Sequence, residues 1–165
     1  MKEFTMKSSL LIAATLAVLL AGCASTTTQQ NDSVQNVDPR FSQCDLPTLE
    51  ERGPIRPSIF VVGTFADGQW LHMDNRQMSY KGDGIYQVVS NEKAGNVSLQ
   101  FATMSWNPQY TAAGLTLTVG QVKELKRAGF AKNTVVMLPK DGQYVWTVQI
   151  ADDKTPRLVM ISECK

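Results

Sequence analysis

The most constraining feature of this 165-residue chain is an alternation of apolar and polar side chains that begins after Pro57. Successive side chains of a β-strand point to opposite faces, so a period of two predicts strands with one buried face. The turn residues Gly82-Asp83-Gly84 precede one such run, and the hairpin signal Asp141-Gly142 precedes another. The predicted strands are 59–65, 85–89, 97–102, 115–118, 134–138, 144–150 and 158–161.

These strands predict an all-β fold, because about seven strands with turn signals every ~8–12 residues are typical of an antiparallel β-sandwich. One stretch has a different pattern. Between Gln121 and Arg127, Val122 and Leu125 lie three residues apart among charged side chains, and Gly129 follows. This spacing with a glycine stop predicts one short helix of two turns.

Residues 1–22 have the pattern of a lipoprotein signal peptide. Lys2 and Lys7 precede an apolar run of about 13 residues, which is too short for the roughly 20 that cross a bilayer. Leu20-Ala21-Gly22-Cys23 resembles the bacterial lipobox, in which the cysteine is lipidated and becomes the first mature residue; an ordinary signal peptide ending near a cysteine is the alternative. Ala24 stands where an inner-membrane lipoprotein often has Asp, so the resemblance favours the outer membrane, on its periplasmic or surface-exposed side.

Residues 23–40 are predicted to be the lipidated cysteine and a flexible tether. The segment is polar, with two valines and no aromatic residue, so it cannot bury enough surface to offset its ordering entropy. The folded domain is therefore predicted at 41–165, held near a lipid bilayer by the acylated N-terminus.

Two further cysteines, Cys44 and Cys164, lie at the two ends of the predicted domain. In an exported chain such an even pair predicts a disulfide, which requires the ends of the domain to lie side by side. Two free thiols are the alternative. A metal site is not predicted, because two cysteines and the distant His72 do not make a ligand set.

Composition and charge exclude several classes of function. The hydrophobic fraction of 43% and the charged fraction of 19% are typical of a globular chain, and the length of 165 residues predicts one domain. Without Lys2, Glu3 and Lys7 the chain is neutral, so no nucleic-acid partner is predicted. The single histidine has no nucleophile at a recognised spacing, and the aspartates adjoin turn residues. The sequence thus predicts a protein that is not an enzyme and has no cofactor.

The tryptophans are the candidate functional residues. Trp146 shares a strand face with apolar residues and is predicted to be a core residue. Trp70 and Trp106 lie in predicted loops, where they either cap the edge of a core or form an exposed surface. Exposed together, their rings would suit the apolar C–H face of a sugar, with Tyr110 close by. Amide side chains that would bind the sugar hydroxyls are Gln100, Asn107 and Asn75.

An ordered series of motifs supports this interpretation. It runs through Val62-Gly63-Thr64-Phe65, Trp70, the segment 78–86, the segment 94–102 and Trp106-Asn107. The series resembles the early-set immunoglobulin-like starch and glycogen modules, that is, the family 48 carbohydrate-binding modules and their relatives attached to pullulanases and branching enzymes. The resemblance covers about 57–150, is strongest over 78–101, and implies an immunoglobulin-like sandwich.

The resemblance also implies which residues bind a ligand. In such modules two loop tryptophans stack on α-glucan and a lysine on the intervening strand bonds a hydroxyl, which correspond here to Trp70, Trp106 and Gln100. Gln100 has no charge, and the stretch from Phe65 to Trp70 is two residues longer than the family's Phe-Asn-x-Trp and lacks the asparagine.

Two functions follow from these patterns. In the first, a lipid-anchored, non-catalytic envelope protein binds α-glucan or a related neutral glycan through its loop tryptophans. In the second, a protein-interaction lipoprotein docks an envelope protein on its sandwich, through an open edge strand that accepts a strand of the partner.

Overall fold

The computed structural model describes residues 37–165, so the predicted signal peptide, Cys23 and most of the predicted tether lie outside the described residues. The described part contains eleven strands and three short 3-10 helices. The strands are β1 (Ile59–Phe65), β2 (Gly68–Gln69), β3 (Ser79–Tyr80), β4 (Ile85–Glu92), β5 (Gly95–Thr103), β6 (Gln109–Ala112), β7 (Thr116–Leu117), β8 (Lys123–Arg127), β9 (Thr134–Leu138), β10 (Gly142–Ile150) and β11 (Pro156–Glu163). The 3-10 helices are Pro39–Ser42, Asp74–Arg76 and Ala113–Leu115. Within 37–165, no helix has the length and apolar character needed to cross a membrane.

The first of two sheets is built around β5. One edge of β5 pairs with β1, and the other edge pairs with β9 and then with β6. Strand β2 extends this sheet beyond β1, and β7 lies parallel to β9. All the other pairings in this sheet are antiparallel within the described residues.

The second sheet has the order β3-β4-β10-β11, with antiparallel neighbours. Strand β8 joins the two sheets, because its residues 125–127 pair with β6 and its residues 123–124 pair with β11. The strands at the two ends of the hydrogen-bonded path, β2 and β3, have two residues each. They therefore offer only short edges to a strand from another chain.

The main hydrophobic core draws its side chains from both sheets, which therefore pack face to face. Trp146 of β10 is fully buried, as predicted, and its ring meets the edge of Phe65 from β1 at a centroid distance of 5.6 Å. The indole Nε1 of Trp146 donates a hydrogen bond to Ser90 Oγ at 2.9 Å, which satisfies its one polar group inside the core. The predicted antiparallel β-sandwich is confirmed.

The outer face of β10 is also buried, which alternation alone does not predict. The 3-10 helix Pro39–Ser42 covers it, with the Phe41 side chain buried. Thr147 Oγ1 donates to the Phe41 carbonyl oxygen at 2.8 Å, and Gln87 Nε2 donates to the Arg40 carbonyl oxygen at 2.6 Å. The chain thus enters the domain along the outer face of the second sheet.

The predicted strands all coincide with or overlap observed strands, but the predicted helix over 121–127 is wrong, since Lys123–Arg127 forms strand β8. In this strand only Leu125 is buried, and one apolar residue does not distinguish a helix from a strand. The edges of β6 and β11 need backbone partners, and β8 supplies them. Tertiary hydrogen bonding therefore overrides the local pattern.

The Cys44–Cys164 disulfide is confirmed. The two Cα atoms lie 5.9 Å apart and the bond closes a loop with a sequence separation of 120 residues. The backbone N–H of Cys164 also donates to the carbonyl oxygen of Gln143 on β10. The bond therefore ties the segment that enters the domain to the end of β11.

Replacing Cys44 and Cys164 together by Ser is expected to lower the free energy of unfolding by about 4–5 kcal/mol, because the unfolded chain regains the entropy of the open loop. Urea unfolding followed by tryptophan fluorescence measures this difference. A reducing agent should destabilise the wild-type protein by a similar amount and leave the double variant unchanged. Equal stability of the oxidised wild type and the double variant would contradict the prediction.

Candidate functional site

Trp70 and Trp106 lie on the outer face of the first sheet. They pack against a small buried cluster of Phe60, Val62 and Ala102, which is separate from the main core. Because side chains alternate along a strand, Val61 of β1 points into the main core and Val62 points to these two rings. The two tryptophans thus cover a face of β1 that would otherwise be exposed.

The backbone holds both tryptophans in the left-handed region, with φ of +58° at Trp70 and +58° at Trp106. Trp70 follows β2, and its N–H donates to the carbonyl oxygen of Gly63 at 2.7 Å. Trp106 lies in the turn from β5 to β6, and its N–H donates to the carbonyl oxygen of Thr103 at 2.8 Å. A positive φ is uncommon for such bulky side chains, and such strained positions cluster at ligand-binding sites.

The two indole rings lie side by side and are inclined to each other. Their centroids are 6.4 Å apart and their planes meet at 42°. His72 stands behind Trp106 in an edge-on contact at 5.1 Å, and its Nε2 donates to the Thr103 carbonyl oxygen at 3.0 Å. Both indoles are half-buried by this packing, so their orientation is fixed within the domain.

A groove of about 540 Å³ runs beside the two rings. Its lining residues have neutral side chains, and they are Trp70, Gln100, Trp106, Gln109, Phe130, Ala131 and Asn133. Phe130 is 98% exposed and belongs to the loop between β8 and β9. Sequence reasoning missed this residue, although an isolated aromatic residue after Gly129 in a polar stretch is a signal that could have identified it.

Gln100 lies under the groove and is only 2% exposed. Its Nε2 donates to Asn133 Oδ1 at 2.8 Å and, more weakly, to the Gly129 carbonyl oxygen at 3.4 Å. Its Oε1 has no hydrogen-bond partner among residues 37–165. The structure thus brings Gln100 to the predicted site, with its donor already occupied by the loop that carries Phe130.

The three other residues predicted for the site have different positions. Asn75 is exposed and does not line the groove, and its Nδ2 donates to Asp67 Oδ2 at 3.2 Å. Asn107 is exposed directly after Trp106, and its carbonyl oxygen accepts a hydrogen bond from Ser105 Oγ at 3.2 Å. Tyr110 is fully buried in the main core, and this burial raises the pKa of its hydroxyl. Tyr110 is therefore a packing residue rather than part of the ligand surface, because its position on β6 directs it inward between the sheets.

A buried ion-pair network holds the loop that carries Trp70. Arg76 binds Glu92 of β4 with two hydrogen bonds of 3.0 and 2.8 Å, and its guanidinium lies 3.9 Å above the Phe65 ring. The Nη1 atom of Arg76 also lies 2.8 Å from Asp67 Oδ1 in an ion-pair contact. Burial by itself would raise the pKa of Asp67, but the contacts with Arg76 and Asn75 outweigh it and lower this pKa.

The described residues contain no group of three or more His, Cys, Asp or Glu side chains that could hold a metal ion. The neutral groove lining is chemically suited to packing and hydrogen bonding with a neutral ligand.

Among solved structures, the chain is similar to one described as "Ligand induced structure of AmyP-SBD", a starch-binding module. The identity is 36%, the match covers 99% of this chain and 97% of the other chain, and the TM-score is 0.61. The chain belongs to the family of this starch-binding module. No protein-family model and no curated protein matches the chain.

Similarity to the AmyP starch-binding module confirms that the fold is that of a carbohydrate-binding module, as the resemblance found in the sequence implied. The lipobox part of that prediction falls on residues outside the described part of the chain.

Replacing Arg76 by Met is expected to lower the free energy of unfolding by about 3–5 kcal/mol, because it leaves the buried Glu92 carboxylate without a charged partner. Urea unfolding at neutral pH measures the change. Lys93→Met is the matched control, since it removes one partner of the exposed Lys93–Asp141 ion pair and should change stability little. Equal effects of the two substitutions would contradict a structural role of the network.

Proposed function

We propose that this domain is a non-catalytic module that binds α-glucan, or a closely related neutral glycan, in the groove beside Trp70 and Trp106. The observation that carries the proposal is the pair of adjoining indole rings, with centroids 6.4 Å apart, beside a groove with neutral side chains. Membership of the family of a starch-binding module supports the same ligand class.

The shape of the aromatic surface suits a curved sugar chain. Each glucose ring presents an apolar C–H face, which packs on the flat face of an indole. An α-linked glucan bends from one sugar to the next, so two rings inclined at 42° match two successive sugars better than one flat surface does. Phe130 adds a third aromatic side chain to the same groove.

The polar groups of the groove would hold the sugar hydroxyls. Gln109 and Asn133 each provide a side-chain amide there, with both donor and acceptor capacity. No charged side chain lines the groove, so we expect binding to depend little on salt. A small surface of this kind implies a dissociation constant of about 10 μM to 1 mM, or roughly −4 to −7 kcal/mol.

Trp106→Ala is expected to weaken glucan binding by about 1–2 kcal/mol, or roughly tenfold, because it removes one of the three aromatic side chains of the groove. Affinity electrophoresis in gels containing glycogen or maltodextrin measures the change. The control is Leu49→Ala, which truncates an exposed apolar side chain outside the groove and should migrate like the wild type. If polysaccharide in the gel does not retard the wild-type protein, the proposed function fails.

We also propose that Cys23 is acylated and anchors the protein to the outer membrane. The lipobox-like sequence before Cys23 supports this proposal, as does the Cys44–Cys164 disulfide, which is typical of an oxidising compartment outside the cytoplasm.

Labelling of growing cells with tritiated palmitate is expected to mark the wild-type protein and to leave Cys23→Ser unlabelled, because the acyl chains attach through this residue. Cys44→Ser is the control and should retain the label. Incorporation into Cys23→Ser would exclude Cys23 as the acylation site, and fractionation of the labelled cells tests the outer-membrane location.

A further inference from the structure

We propose that Gln100 is a positioning residue that holds the loop Gly129–Asn133 beside the groove and thereby sets the place of Phe130. This inference rests on the proposed function, because Phe130 acts there as one wall of the glucan site. It assigns to Gln100 a role different from the direct sugar contact that the family resemblance implies.

The first observation is that the Phe130 ring has almost no packing of its own. The residue is 98% exposed, whereas Trp70 and Trp106 are half-buried against the sheet. An aromatic ring without packing contacts takes its position from the backbone that carries it. The position of Phe130 in the groove therefore depends on what fixes the loop.

The second observation is that one side-chain amide reaches both ends of this loop. Gln100 Nε2 donates to the carbonyl oxygen of Gly129 at 3.4 Å and to Oδ1 of Asn133 at 2.8 Å. Within the loop, the N–H of Lys132 donates to the Gly129 carbonyl oxygen over a long 3.3 Å, and Ala131 has φ of +62°. These internal features alone hold the loop weakly, so the contacts from Gln100 are needed to fix it.

Gln100 lies on β5, the strand around which the first sheet is built. Gln100 pairs with Val62 on β1 near the middle of the first sheet, which is a rigid support. Val62 is fully buried under the tryptophans. The residue that supports the indoles and the residue that holds the Phe130 loop are therefore paired on adjacent strands. A single pair of strands thus sets the relative placement of the three aromatic side chains.

The burial of Gln100 separates a positioning role from direct sugar contact and from a contribution to stability. Gln100 is 2% exposed, so a ligand in the groove does not reach its amide while the loop is in place. Its buried Oε1 has no partner among the described residues, and a buried acceptor without a partner opposes folding. A leucine here would remove that unfavourable group together with the two donor contacts, so we expect Gln100→Leu to be at least as stable as the wild type.

A double-mutant cycle between Gln100 and Phe130 tests the proposal. Glucan affinity is measured for the wild type, Gln100→Leu, Phe130→Ala and the double variant by titration with maltoheptaose. Each single substitution is expected to weaken binding about threefold to tenfold, within the range for aromatic contacts. In the Phe130→Ala background, Gln100→Leu should weaken binding by less than about twofold, because Gln100 acts through Phe130.

Lys132→Ala, an exposed change in the same loop that removes none of the contacts from Gln100, is the control and should bind like the wild type. Gln100→Met, which also lacks the amide, serves as the second variant if Gln100→Leu does not fold. An unchanged affinity in the folded variant would overturn the proposal. So would a full further loss in the Phe130→Ala background, because Gln100 would then contact the glucan itself.

A measurement without ligand separates this proposal from the proposed function. With 4-fluorophenylalanine at position 130, the fluorine resonance of the ligand-free protein is expected to shift and narrow in Gln100→Leu as the loop loosens, and to stay unchanged in Lys132→Ala. If the domain does not bind glucan but the resonance changes in this way, the glucan site is refuted and the positioning role of Gln100 stands. An unchanged resonance in Gln100→Leu would refute the positioning role whatever the glucan result.

Discussion

The packing of Trp70 and Trp106 over Phe60, Val62 and Ala102 is the contact on which the candidate site depends. It buries the outer face of β1, and it also fixes both indoles before any ligand arrives. Association with a ligand costs conformational freedom wherever a side chain must become ordered. Rings that the sheet already orders avoid this cost, so a small aromatic surface can bind with less loss of entropy.

The loop of Trp70 depends on the second sheet as well as on the first. Asp67 lies in the turn between β1 and β2, and Arg76 joins it to Glu92 on β4. Ser90 Oγ donates to Glu92, and Trp146 Nε1 donates to Ser90 Oγ, so the contacts continue into the main core. The aromatic site is thus connected to both layers of the sandwich through a chain of polar groups that is buried from Arg76 to Trp146.

The sequence predicts strands and covalent geometry better than it predicts which side chains share a surface. The alternation after Pro57 and the inward position of Trp146 depend on local pattern, and the pairing of Cys44 with Cys164 depends on an even count of cysteines in a chain expected to be exported. The spacing of Val122 and Leu125 predicts a helix where β8 lies, because Leu125 fits either period, and only the backbone pairing with β6 and β11 decides between helix and strand. The burial of Tyr110 and Gln100, and the approach of Phe130 to the groove, depend on strand register and on a loop packed from a distant part of the chain.

The position of the 3-10 helix Pro39–Ser42 has a consequence for access to the groove. This helix lies on the outside of the second sheet, and the disulfide fastens the chain just after it. The tryptophans lie on the outer face of the first sheet, which is the opposite face of the sandwich from that helix. Val37, the first described residue, therefore lies on the side of the sandwich away from the indole rings, so the aromatic surface is open on the side away from that end of the described chain.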